Sequence, residues 1–325
     1  MDRSGPRGRR AGLAVGMCAL GLAASGIASG DTPPGPPRVS ATFALGAGPM
    51  PDVASDPSTH RAYVTSSDDD SLYVADARGR VTTIPVGDAP AGAAVDPTTQ
   101  TAYVTSGNSV SVVDIASGAT TGTITVGQDP LGIEVDSDTQ TVFVANVGDG
   151  SVSVIDAPSR QVSATIEVGT SPAKMGVDPA SHLLYVANHG DGTVSVVDPA
   201  QSAVIDTIVV GGSPGDVAID PPTRTAFVPN GDDDSVTVID LEHRAVVGKI
   251  AVGDQPSAAT VDSDAHTVYV TNSGGASVSA IDTGTRAVTH TVDVGDGPLT
   301  VAADPSTHTA WVVNFRANSI SVIER

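Results

Sequence analysis

Three groups of residues carry side chains that could do chemistry. The runs Asp68-Asp69-Asp70 and Asp232-Asp233-Asp234 cluster carboxylates, the hard oxygen donors that Ca2+ takes. No EF-hand spacing with a closing Glu follows either run, so a solvated turn is the preferred reading and Ca2+ the alternative; no other cofactor is expected. Gly211-Gly212-Ser213-Pro214-Gly215 matches the G-x-S-x-G elbow that exposes a nucleophilic serine. That elbow needs a helix after the turn and a backbone N–H on the residue following the serine, and Pro214 has no N–H. Of the seven histidines, His60, His182, His266 and His308 share one position of a repeat, where they alternate with Gln100, Gln140 and Arg224. His243 lies in another turn and His290 on an outer strand, which leaves His189 as the histidine of an unrepeated loop. None of these has metal-ligand spacing.

The elements that must position such residues follow from an internal period, which decides the fold before any single residue does. A Gly-x-x-Pro turn recurs at Gly46, Gly87, Gly127, Gly169, Gly211, Gly253 and Gly295, at spacings of 40 to 42 residues. Within each of the seven units a short strand ends at an Asp: Asp56, Asp96, Asp136, Asp178, Asp220, Asp262 and Asp304. Asp caps the turn, and the Pro that usually follows presets the next φ. Second strands such as Tyr185-Val186-Ala187-Asn188, alternating third strands such as Ser151 to Asp156, and fourth strands such as Val162 to Val168 complete the unit. Period-two alternation, abundant Val, Ile and Thr, and no helical periodicity predict antiparallel sheet throughout. Four-stranded units that cannot bury both faces alone stack radially. The expected fold is therefore all-β, a seven-bladed propeller of four-stranded antiparallel blades.

The ends sharpen this expectation. The last unit stops at Arg325 after a third strand, Ser319 to Glu324, while Arg38 to Leu45 reads as a fourth strand with no three before it. Joined, the two complete blade seven in a 3+1 closure.

The YVTN-like second strands, the SVSVID third strands and the VG-x-x-P turns together resemble the YVTN family of β-propeller repeats, over the span from Arg38 to Arg325. Blades one and two depart from the pattern: Ser66 and Ser106 replace Asn, and the loop after Ser106 is two residues short. The resemblance implies an extracytoplasmic or cell-surface protein and brings no shared catalytic residues.

Recurring residues serve structure, so the useful candidates are those that one blade carries alone. First strands line the channel of a propeller. Four residues before each turn Asp, near the mouth, the ring reads Asp52, Gly92, Gly132, Lys174, Asp216, Ala258 and Thr300. Two residues further in it reads Ala54, Ala94, Glu134, Gly176, Ala218, Thr260 and Ala302. Lys174, Glu134, Asp52 and Asp216 are the candidate ligand-binding residues, and an ion pair between Lys174 and Glu134 is the purely structural alternative. His189, Phe315 and Arg316 join them as unrepeated loop residues on the same face; local packing in the closing blade is the alternative for the last two.

Composition bounds the partners. Arg3, Arg7, Arg9 and Arg10 precede an apolar run from Ala11 to Ala28, the layout of a secretory signal over residues 1–30. Asp31 to Pro37 reads as a Pro/Gly linker and residues 38–325 as one propeller. Cys18, the single cysteine, falls within the leader. Without the leader, twelve basic residues face 36 acidic ones, a net charge of −24, which argues against nucleic-acid backbone binding and anionic membranes. No stable membrane insertion is expected once the leader is cleaved, and a closed ring suits a monomer. The sequence therefore favours a secreted binding or interaction module for a small molecule, polysaccharide or protein, on the loop face around the channel mouth. An enzyme of the lactonase, lyase or quinone-dehydrogenase kind, with its site in the funnel, is the alternative, using Lys174, Glu134 and His189 for acid-base work.

Overall fold

A residue type every second position that packs, beside one that does not, is the signal of a strand with two different faces. A computed structural model of the chain describes residues 35–46, 48 and 50–325. The described residues form 28 strands, of which the outer ones show that alternation and the second and third of each blade are buried on both faces. The leader expected over residues 1–30 and most of the linker lie outside the described residues. Among the described residues the strands form seven four-stranded antiparallel sheets. Six follow chain order; blade three, for example, runs Pro130–Asp136, Thr141–Asn146, Ser151–Asp156 and Gln161–Glu167 from the innermost strand outward. The seventh sheet takes its inner three strands, Pro298–Asp304, Thr309–Asn314 and Ser319–Glu324, from the end of the chain and its outer strand, Arg38–Ala44, from the beginning.

That closing strand has the form of its counterparts. A register shift interrupts the third-to-outer pairing between Val112 and Val113, Val154 and Ile155, Val196 and Val197, Val238 and Ile239, and Ala280 and Ile281. The same shift falls between Val39 and Ala41 where they meet Ile323 and Val322. A bulge of this kind increases local twist, so the N-terminal strand carries the twist of an outer strand.

Blades cohere through their neighbours. Each of the seven apolar clusters draws residues from two adjacent blades, as Tyr63, Leu72 and Ile84 of blade one pack with Ala102, Val104 and Val113 of blade two. The cluster joining blades seven and one, with Trp311, Val313, Ile320, Val64 and Tyr73, closes the circle. One aromatic residue per blade at the start of the second strand is buried there, among them Tyr63, Phe143, Tyr185, Phe227, Tyr269 and Trp311 at no more than 1% exposure. Six outer strands, by contrast, bury one residue each, such as Ile166 or Ile250, and the closing strand Arg38–Ala44 buries none.

Two repeated polar devices hold the loops. The Asn ending the second strand is fully buried and donates from Nδ2 to two third-strand hydroxyls: Asn146 to Ser151 and Ser153, Asn272 to Ser277 and Ser279. In blades three, four and six its Oδ1 accepts from the Gly that opens the Gly-x-x-Pro turn, at 3.0 to 3.2 Å. A Cβ on Gly253 would stand 2.6 Å from Asn272 Cγ, so this glycine is required by space. On the opposite face, the repeat position shared by the histidines forms a ring of clamps between blades. His60, Gln140, His182, Arg224 and His308 each reach the turn Asp of the preceding blade, Asp304, Asp96, Asp136, Asp178 and Asp262 in turn. Each of the five adopts a positive φ between 53° and 57°, which aims the side chain back across the blade interface.

Candidate binding site in the central channel

The inner strands approach one another more closely than side chains would allow. A Cβ at Gly92 would lie 2.1 Å from the Leu131 carbonyl oxygen of the next blade, and one at Gly132 would lie 2.2 Å from that of Ala173. Glycine at these ring positions is therefore a packing requirement, and the charged members of the ring stand where neighbouring strands leave room for them.

Lys174 and Asp52 meet in the channel. Lys174 belongs to blade four and Asp52 to the entry of blade one, positions that face each other across a seven-membered ring, and Nζ donates to Asp52 Oδ1. The ion pair between Lys174 and Glu134, the structural alternative to a ligand site, is not formed; no contact between them falls within salt-bridge distance among the described residues. Asp52 also accepts the Ala93 N–H at 3.2 Å through its other oxygen. Asp216 does the same one blade past Lys174, accepting from Val217 N–H at 2.8 Å and from Ala259 N–H at 3.3 Å. Its backbone allows this because blade five breaks its inner strand: Pro214 makes an isolated bridge to Asn230, and pairing resumes only at Ala218. Asp52 and Asp216 thus stitch the inner strand of the following blade while standing in the field of Lys174.

Glu134 differs from them, since no hydrogen bond engages its carboxyl. Burial pushes its pKa up to about 8, with the charges of Asp216, Asp52 and Asp136 adding to the rise and Lys174 opposing it. Burial also raises Asp216, to about 6, against the lowering by Lys174 and by its two backbone donors. Lys174 is raised despite its own desolvation, because Asp52, Asp216 and Glu134 favour the ammonium.

The ion pair divides the channel. A mouth cavity of about 350 Å³ lies on the face of the Gly-x-x-Pro loops, and a second of about 510 Å³ opens toward the clamp face. Asp52 and Lys174 line both, and form the partition. Of the candidates read from sequence, His189 lines the mouth cavity, and Glu134 and Asp216 line the opposite one. Lys174, Glu134 and His189 therefore share no single cavity. Phe315 and Arg316 line neither cavity: Phe315 is 41% exposed, and the Arg316 guanidinium donates to the Ser273 carbonyl at 3.3 Å and pairs with Asp296 at 3.7 Å.

Residues missed from sequence make the mouth walls. The ring five positions before each turn Asp reads Pro51, Ala91, Leu131, Ala173, Gly215, Ser257 and Leu299, and all seven line the mouth. The signal was present in the two leucines, which stand out from a ring of small residues. Ser213 and Asp232 also lie there, joined directly by a 2.6 Å hydrogen bond with no histidine between them, so the G-x-S-x-G match has no base. The acidic runs are tied to turns: Asp70 accepts from Ala89 N–H, Asp234 from Gln255 N–H, and Asp233 pairs with Lys249 at 2.7 Å. Among the described residues no group of three or more His, Cys, Asp or Glu is placed to hold a metal ion.

No protein-family model matches the chain, and no curated protein matches its sequence. The architecture is common, with 1473 matching chains among solved structures. One of them, the Kuenenia stuttgartiensis hydrazine synthase, superposes with a TM-score of 0.77 at 20% identity, over 87% of this chain and 97% of that one. At that identity the likeness is one of fold. The chain is a seven-bladed β-propeller whose channel is partitioned by a half-buried ion pair.

Proposed function

We propose that this chain is a binding module of the extracytoplasmic space which takes a small, uncharged and largely apolar group into its channel mouth. The observation that carries the reading is the mouth cavity itself, about 350 Å³ walled by Leu131, Leu299, Pro51 and Pro256 over a floor whose two charges neutralise each other. Cavities of this size with apolar walls and a few polar groups are where small ligands bind. His189, Gln255 and Ser257 supply the polar groups at the rim. An anionic ligand would have to compete with Asp52 for Lys174 inside a strongly acidic protein, and the mouth offers no Phe, Tyr or Trp ring on which a sugar could stack. The YVTN-like repeat and the basic, then apolar, N-terminus support the extracytoplasmic part of the reading.

Ligand-observed NMR against uncharged lactones, quinones, sugars and cell-wall fragments tests it, with Leu131→Asp and Leu299→Asp as controls. Binders drawn from the apolar compounds and lost in both variants are expected. Binding that survives both substitutions would place the ligand elsewhere, and recovery of the protein only from the cytosol would remove the compartment.

A second reading, an enzyme working from the opposite cavity, is favoured by Glu134, whose raised pKa suits proton transfer near neutral pH. Turnover of a lactone or quinone substrate abolished by Glu134→Gln would establish it.

A further inference from the structure

The cavity on the clamp face has a construction of its own. Val95, Val135, Val177, Ile219 and Val261, one from each of blades two to six, contribute an aliphatic sleeve to a lining whose larger part is polar, and no Phe, Tyr or Trp lines it. Glu134 stands inside this sleeve, and what exposure it has is to the cavity. Three carboxyl groups at its inner end, Asp52, Asp216 and Glu134, face the single cation Lys174. Asp52 and Asp216 are engaged by backbone N–H groups, and Asp52 by the Lys174 ammonium as well. Among the described residues none donates to the half-buried Glu134 carboxyl, so the part of it that lines the cavity of about 510 Å³ is open to a donor from outside.

We propose that this second cavity binds a primary aliphatic amine, its ammonium on the Glu134 carboxylate and its hydrocarbon chain in the valine and isoleucine sleeve. A divalent metal is the poorer match, because the three carboxylates are not gathered into a metal-holding group. A quaternary or aromatic cation would want aromatic faces, which the sleeve lacks. Asp138 also lines this cavity, so a short diamine, with a carboxylate for each of its ammonium groups, is the probe of choice. The proposal does not depend on what the mouth binds.

Binding has a chemical signature that packing alone would not give. Burial, and after it the charges of Asp216, Asp52 and Asp136, push the Glu134 pKa up to about 8 against the lowering by Lys174, which favours the acid form at neutral pH, and an arriving ammonium exchanges for its proton. The test is calorimetric titration of the purified protein with 1,4-diaminobutane at pH 7 in phosphate and in MOPS, with 1,4-butanediol as the parallel probe. Expected are one saturable site for the diamine, a heat that differs between the buffers by the release of a fraction of a proton up to one, and no site for the diol. Glu134→Gln should lower the affinity at least roughly tenfold and abolish the proton release, while Val209→Thr, on an exposed outer strand away from both cavities, changes neither. Absence of saturable diamine binding, equal binding of the diol, or saturable binding without proton release would overturn the proposal. The buffer comparison on the unaltered protein decides the matter even if the glutamine variant fails to fold.

Discussion

Lys174 of blade four and Asp52 at the entry to blade one, 122 positions apart in the chain, form an ion pair across the channel with side-chain exposures of 22% and 6%. Taking two charges out of water costs more than their attraction alone returns unless further hydrogen bonds help, and here Ala93 N–H and the nearby Asp216 carboxylate supply that help. Removing one partner is then worse than removing both. Lys174→Met should destabilise the fold by about 3–5 kcal/mol, because Asp52 and Asp216 lose their counter-charge. The double variant Asp52→Asn/Lys174→Met should recover most of that loss. Urea unfolding of the two singles and the double measures the coupling, and strictly additive effects would show that the pair is not an energetic unit.

Glu134 makes a prediction of opposite sign. Its folded pKa, about 8, lies above the ordinary 4.5, so between those values the native state holds a proton that the unfolded chain has lost. Stability linked to this group is therefore intact below about pH 4.5 and declines as pH rises toward 8. Asp216, raised to about 6, adds a decline over the lower part of the same window. Glu134→Gln removes the first penalty: its melting temperature should match the parent near pH 4.5 and exceed it progressively up to pH 8 and beyond. At about 2–4 °C per kcal/mol for a domain of this size, the gain should be several degrees at the alkaline end. Asp96 works the other way, since its hydroxyl and backbone donors hold it near 2, and the stability it gives is lost only as pH falls through that value, in parent and variant alike. Calorimetry at matched pH values reads both trends; a constant difference between parent and variant would mean that Glu134 does not titrate between the two states.

The buried Asn of the second strand gives a third. Asn272→Ala strands the Gly253 N–H and the hydroxyls of Ser277 and Ser279, and should cost about 1–3 kcal/mol for unsatisfied groups. Gly253→Ala should cost a comparable amount for a different reason, the 2.6 Å approach of its Cβ to Asn272 Cγ. Because the 2.6 Å approaches to Cγ and Nδ2 disappear with the Asn and only the 2.9 Å approach to its Cβ remains, the double variant should be less destabilised than the two single effects combined. Thermal unfolding of the three variants checks this, and full additivity would remove the spatial explanation.

The fold was legible because its grammar is local: turn Asp, Gly-x-x-Pro and alternating Val recur at a fixed period, and a fourth strand missing at one end is visible at the other. The channel ring could also be counted off, since inner strands end at a recognisable Asp. What could not be read was which side chain Lys174 reaches. Neighbouring blades suggested Glu134, but the partner lies on the far side of the ring at Asp52, and whether a lysine spans a channel depends on a diameter that no local pattern encodes. The division into two cavities followed from that one contact. The histidines at positions 60, 182 and 308 were equally opaque, because their function is to clamp the preceding blade, and positive φ at a non-glycine residue leaves no mark in composition.

Closure of the ring gives the last prediction. Arg38–Ala44 pairs along Ser319–Glu324, Phe43 packs against the cluster at the blade seven and one junction, and Leu45 is buried within it. Deleting residues 38–45 would leave the third strand of blade seven as an open edge, with its N–H and C=O groups unpaired and an apolar face uncovered. Such an edge pairs with other chains. The truncated protein should therefore associate in a concentration-dependent way and melt below the parent, and a synthetic peptide of residues 38–45 should restore both properties by occupying the vacant position. Light scattering and melting with and without the peptide measure this. A monomeric truncation with an unchanged melting temperature would show instead that interblade packing closes the ring without its outer strand.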